Sequence, residues 1–305
     1  MIDDDMSNKT LDLSKLSNYH KFLWYLGHIV RKNLVYGILR AFTELSPHGY
    51  ILATVRVDNT VFRLYTHYEG LQVIDEVMLL GQYREALKLK PRVVVDLGAH
   101  IGTFTLLAVR QILDTYGDGL VVAVEPITVN YLALLNNIRL NRVERVVQPI
   151  KAAVAQEPRW VEIEWIESKE KVKAITMNEL TDLIRENYDR IDLVKIDIEG
   201  AELEILTRNN RWLQYVNAIV MELHPRVYGY EGLKRIIEVL EKAGFAIKIV
   251  EHSTSTKTSL MAWIKNVQCP FIVAKLLLML WKTGVALTIK KLNMAYWLAV
   301  KSEHR

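Results

Sequence analysis

Carboxylates recur in this chain at one kind of place. Asp96 follows Val93-Val94-Val95, and Glu125 follows 120–124. Asp197 and Glu199 follow the largely apolar run 191–196, and Glu222 with His224 closes the run 218–223. Short apolar runs rich in β-branched residues read as buried strands. In an open α/β sheet, ligands bind outside the carboxyl ends of such strands. A carboxylate there can accept hydrogen bonds from paired hydroxyls, take a proton from a reacting group, or hold a cation. His224, with an ordinary imidazole pKa of about 6.5, is a second candidate base.

The turn after the first run is Asp96-x-Gly98-x-x-x-Gly102, and an apolar helical stretch follows it. Glycines let backbone N–H groups approach a ligand, and a helix N-terminus adds positive potential. The dinucleotide fingerprint needs a middle glycine two places after the first, and His100 stands there. The spacing resembles the S-adenosylmethionine (SAM) loop of class I methyltransferases. The cofactor-binding residues expected are Asp96, Gly98, Ala99, His100, Gly102, Glu125, Pro126, Ala152 and Asp197. Asp96 is expected at the amino acid moiety, Glu125 at the ribose and Ala152 near the adenine. An acid at Glu125 by itself does not separate SAM from NAD, since both carry an adenosine ribose.

The elements that must hold these residues follow in order. An amphipathic helix is expected over 19–42 and a β-hairpin over 50–68 around Asp58-Asn59. A helix over 71–89 carries Glu76 as a weak candidate contact. Core strands fall at 93–97, 120–124, 146–154, 191–196 and 218–224, with an inserted strand at 160–166. Thr176 to Glu179 reads as a capping box. Closing strands are expected at 246–251 and 260–265.

Four stretches together resemble the FkbM family of SAM-dependent methyltransferases: VVVDLGAHIGTFT (93–105), VEPITVNYLALLNNIRLN (124–141), VKIDIEGAELEIL (194–206) and IVMELHP (219–225). The resemblance implies a doubly wound, mostly parallel seven-stranded sheet and methyl transfer to a hydroxyl of a sugar, polyketide or related metabolite; the basic, apolar C-terminal tail adds a lipid-linked glycan as a candidate acceptor. It places Asp197 and Glu199 on the acidic stretch facing donor and acceptor. Asp197 and His224 are the catalytic candidates, and Glu199 and Glu222 the substrate-binding ones. Asp197, Glu199 and Glu222 could also hold a divalent cation. Two of them already have cofactor or fold roles, and no metal is expected.

The organisation expected is a helical and hairpin extension (1–90), a methyltransferase domain (91–266) and a basic, apolar helical tail (267–305). One cysteine, Cys269, excludes an intramolecular disulfide. The net charge is +4, and residues 261–305 are strongly basic. That asymmetry, with a lysine stripe and tryptophans over 270–300, suits a helix in a membrane interface. A hairpin packed on the domain or on a second copy is the alternative. The acidic start lacks the features of a signal peptide, so a cytoplasmic protein is expected, peripheral to the membrane face if the tail binds there. No nucleic-acid module is recognisable. The competing functions are a non-catalytic SAM-fold scaffold at a membrane and a nicotinamide oxidoreductase.

Overall fold

A computed structural model describes residues 10–12, 50–165, 168–251 and 295–301. The expected helix over 19–42, the strand over 260–265 and the tail up to 294 lie outside the described residues.

The centre is a sheet of β4 (Val93–Leu97), β5 (Leu120–Val124), β6 (Val147–Ile150), β10 (Ile191–Ile196) and β11 (Val216–Glu222). These five run parallel in the order β11-β10-β4-β5-β6. Helices α3 (Thr103–Tyr116) and α4 (Thr128–Leu140) cover one face. Helices α5 (Met177–Arg185) and α7 (Pro225–Lys242) cover the other. Cover on both faces explains why every residue of β4 is buried. Val94 packs with α3 and α4, while Val93, Val95 and Leu97 pack with α5 and α7, the period of two that a strand imposes. Strand order reverses between β4 and β10, which opens a crevice at their carboxyl ends.

Beyond β11 the sheet continues through β13 (Ala295–Lys301) to β12 (Phe245–Glu251). β13 pairs antiparallel with both neighbours. The helical expectation for 267–305 is therefore corrected at its end. A short apolar run does not distinguish a buried strand from a helix by periodicity, and two flanking strands supply the backbone partners that decide it.

The expected hairpin forms as β2 (Ile51–Val57) and β3 (Thr60–Thr66), with β1 (Thr10–Asp12) added to β2. Its buried face shares a core with α3 and α4. Two asparagines one turn apart, Asn137 on α4 and Asn141 at its C-cap, dock it. Asn137 accepts from the Tyr65 N–H at 2.6 Å and donates to the Tyr65 carbonyl at 3.0 Å. Asn141 does the same for Arg63 at 3.1 and 2.7 Å. Side-chain amides thus satisfy backbone groups that a further strand would otherwise pair.

The helix expected over 71–89 is broken. α1 (Tyr68–Val73) runs into a π-helical turn at Ile74–Leu79, and α2 (Arg84–Leu87) follows separately. Gly81 (φ 79°) and Tyr83 (φ 65°) lie in the left-handed region and end the helical path. The third core strand is also split. β7 (Ala153–Val154) leaves the main sheet to pair with β9 (Ser168–Ile175), which carries β8 (Trp160–Trp165) as its antiparallel partner. The capping box forms as expected, with Thr176 and Glu179 exchanging side-chain and backbone bonds.

Candidate active site

A cavity of about 790 Å³ opens at the carboxyl ends of β4, β5, β10 and β11, within the range of small-molecule sites. Gly98, Ala99 and His100 of the loop after β4 line it, with Thr103 and Phe104 of α3. Glu125 and Pro126 line it after β5, and Ala152 after β6. Lys195, Asp197 and Glu199 line it from β10, and Glu222 from β11. The N-terminal extension closes one side with Glu76, Val77 and Gln82, and the β8 residues Val161 to Glu164 close another.

The loop is shaped by close backbone approach. Gly98 has φ 73°, and a Cβ there would lie 1.8 Å from the Asp197 carbonyl oxygen. Only glycine lets the two strand ends meet. Gly102 (φ 89°) is the N-cap of α3 and does not line the cavity; it sets the helix entry instead. Glu125 grips the loop. Its Oε2 accepts from the His100 N–H at 2.8 Å, and its Oε1 from the Ile127 N–H at 2.9 Å. Burial pushes the Glu125 carboxyl up to about 7 against these hydrogen bonds. His100 is half-buried at the cavity wall, and desolvation, then the charge of His67, holds its imidazole well below the ordinary value.

Asp96 is corrected from cofactor contact to buried support. It is 0% exposed and absent from the cavity lining. Alternation along β4 turns it toward α3, where the Thr105 hydroxyl donates to its Oδ2 at 2.6 Å. Its register partner on β10 is Lys195, whose Nζ lies 3.2 Å from Asp96 Oδ1 and 3.6 Å from Asp197 Oδ2. The same ammonium donates to the carbonyls of Leu97 and Gly98, at 3.2 and 2.7 Å. Burial opposes its charge, but Asp96 and Asp197 prevail and hold its pKa above the usual lysine value. Lys195 is the strut under the loop. The alternation of 191–197 held that signal, and the acids around it drew the reading away.

Across the cavity, Asp197 and Glu222 share a partner. The buried Tyr83 hydroxyl donates to Asp197 Oδ2 at 3.0 Å and lies 3.5 Å from Glu222 Oε2, which also accepts from Gln82 at 3.2 Å. The Tyr83 ring sits edge-on to Phe104 and 5.6 Å from the Lys195 ammonium. Burial, then the charge of Asp197, pushes the Glu222 carboxyl up to about 8. Tyr83 and Gln82 carried no recognisable signal, because their partners stand more than a hundred residues away in sequence.

His224 stands behind the cavity wall rather than in it. It is absent from the cavity lining. Its Nδ1 is 3.0 Å from Glu202 Oε1 and its Nε2 is 3.4 Å from Glu199 Oε2. Burial works against its charge, but the bond to Glu202 and the carboxylates of Glu202, Glu199 and Asp197 raise its pKa to about 9.

Comparison with known proteins bears on this site. Residues 96–247 match the model of the methyltransferase FkbM domain. A methyltransferase, sdnD of Sordaria araneosa, is 28% identical over 199 residues, covering 50% of this chain and 73% of that protein. An O-methyltransferase from Bacillus cereus in complex with SAH superposes with a TM-score of 0.43 at 14% identity, covering 77% of this chain and 89% of that one. The O-methyltransferase TomG from Streptomyces achromogenes, in complex with SAM, gives 0.42 at 13% identity, covering 74% and 78%. With its matched domain spanning the glycine loop and the strand-end acids from Asp96 to Glu222, the chain belongs to the FkbM family of SAM-dependent methyltransferases.

Proposed function

We propose that this methyltransferase transfers to oxygen, on a hydroxyl of a sugar, a lipid-linked glycan or a related metabolite. The observation that carries the reading is that Asp197 and Glu222 line the same cavity as the glycine loop. Methylating a hydroxyl requires a proton to leave it, and a carboxylate in the wall can receive that proton.

The residues present fit SAM. Gly98, Ala99 and His100 bring the loop backbone to the cavity wall. Glu125 offers carboxylate oxygens at the end of β5 for a pair of ribose hydroxyls, and Ala152 with Pro126 lines the wall beside it. When bound, SAM supplies an electrophilic methyl group on a sulfonium. Lys195 holds the loop, Gln82 and Tyr83 orient the two acids, and Glu222 or Asp197 takes the proton. The N-terminal extension and β8 exclude water from the cavity walls they cover.

The test is a calorimetric titration with SAM and with NAD, followed by a screen of hydroxyl acceptors for S-adenosylhomocysteine release. SAM binding with acceptor-dependent release supports the reading. Release with amine acceptors and not with alcohols overturns it. SAM binding without turnover on any acceptor favours the scaffold alternative.

A membrane-surface role for 270–300 is a separate proposal. No helix among the described residues is long and apolar enough to cross a membrane. Because Ala295–Lys301 is a strand of the sheet, the informative deletion is 267–294. Loss of liposome flotation in that deletion supports the role, and unchanged flotation removes it.

A further inference from the structure

We infer that Asp197, Glu199 and His224 form a binding site for a divalent metal ion at the acceptor end of the cavity. Each offers one ligand atom, and the three atoms lie within 4.8 Å of one another. Ligand bonds to first-row divalent ions are about 2.0–2.2 Å long. Atoms on opposite sides of such an ion stand about twice that apart, so small side-chain adjustments bring all three into one coordination shell.

The histidine is already set for the task by a residue outside the trio. Glu202 is 0% exposed, and its Oε1 accepts from the Ile198 and Gly200 N–H groups, both at 3.2 Å, and faces His224 Nδ1 at 3.0 Å. A carboxylate behind one ring nitrogen fixes the imidazole and presents the other nitrogen outward, as outer partners of metal-binding histidines do. The nitrogen presented is Nε2, which points at Glu199.

Charge argues the same way. Glu202 Oε2 is buried without a hydrogen-bond partner. Lys195 pairs with Asp96 and Asp197. Among the described residues, the one ion-pair partner of Glu199 and of Glu202 is His224. An unpartnered buried carboxylate oxygen is costly, and a cation bound beside His224 adds positive charge next to it.

Two carboxylates and one imidazole suit a first-row ion that accepts both oxygen and nitrogen, and Mn²⁺ meets both preferences. Asp197 and Glu199 also line the cavity, so remaining coordination positions face the acceptor. In the proposed reaction an acceptor oxygen on the ion loses its proton to Glu222 more readily. The new C–O bond then forms as the S–CH3 bond breaks, with S-adenosylhomocysteine leaving. That role rests on the methyl-transfer reading; ion binding itself does not.

The experiment is a titration of the full chain with Mn²⁺, following the free ion by electron paramagnetic resonance, with circular dichroism as the control for folding. One ion per chain is expected. Asp197→Asn and His224→Gln should each abolish saturable binding. Glu199→Gln, whose side chain is 81% exposed and so is a mild change for the fold, should weaken it. Glu202→Gln should weaken it by about 10–100-fold. A folded wild-type chain with no saturable Mn²⁺ binding overturns the site. So does undiminished binding in folded Asp197→Asn or Glu199→Gln. Parallel SAM titration separates the two readings: Mn²⁺ binding without SAM binding defeats the function proposed above and leaves the metal site standing.

Discussion

The two ends of the cavity are built from different materials. The cofactor end is backbone: a glycine with φ 73° against the Asp197 carbonyl, braced by a lysine that holds two loop carbonyls. Its charged residues, Asp96 and Lys195, are buried and face each other. The acceptor end is side chains on strand ends: Asp197 and Glu222 held by Tyr83 and Gln82, with Glu199 reaching solvent. The difference teaches that substitutions at the first end should strike folding and cofactor binding together. At the second they should strike chemistry and leave the fold.

The sharpest break is Gly98→Ala. The added Cβ meets backbone, not a side chain that can swing away, and the φ is left-handed. A loss above about 4 kcal/mol is expected in urea unfolding; a change below about 1 kcal/mol would mean the loop relaxes freely. Next is Lys195→Met, which leaves Asp96 buried without its ion pair. Removing one partner of a buried pair costs about 3–5 kcal/mol. Asp96→Asn in the same chain should recover part of that loss, and a strictly additive double variant would deny the coupling.

The acceptor end should answer differently. Glu222→Gln is expected to lower the transfer rate about 100-fold or more while SAM affinity and the unfolding midpoint stay close to wild type. A fall in both would merge the two ends into one structural unit.

The smallest effect expected is a pH dependence at Glu125. Its folded pKa is raised from 4.5 to about 7. The stability this group contributes is therefore full below its unfolded value and is lost as pH rises through 7. Ribose hydroxyls donate to the charged form, so SAM binding should strengthen over the same window, about tenfold from pH 6 to pH 8. Glu125→Gln should flatten both trends, in melting curves without SAM and in calorimetry with it.

Much of the cofactor end was legible because its signals are local. A β-branched run, an acid, two glycines and an apolar helix lie within a few residues, and each constrains the next. The capping box at Thr176 and the hairpin at Asp58-Asn59 were readable for the same reason. Asp96 was misread because an acid at a strand end looks alike whether it faces ligand or core; the alternation of β4 and the register to Lys195 settle it. The setting of His224 was not legible, because Glu202, the group that fixes its ring and charge, comes from the start of another helix. Tyr83 and Gln82 were invisible, since a tyrosine at φ 65° after a broken helix has no pattern of its own.

Sequence alone determined the strand–loop–helix unit, the order of the acids and the family they belong to, because neighbouring residues fix backbone path and hydrophobic period. Tertiary structure decided which acids are buried, which are paired and which face the cavity. Those properties are set by desolvation and by charges brought near from distant parts of the chain, and neither is written in local spacing. It also decided that Ala295–Lys301 is a strand, because its hydrogen-bond partners are β11 and β12.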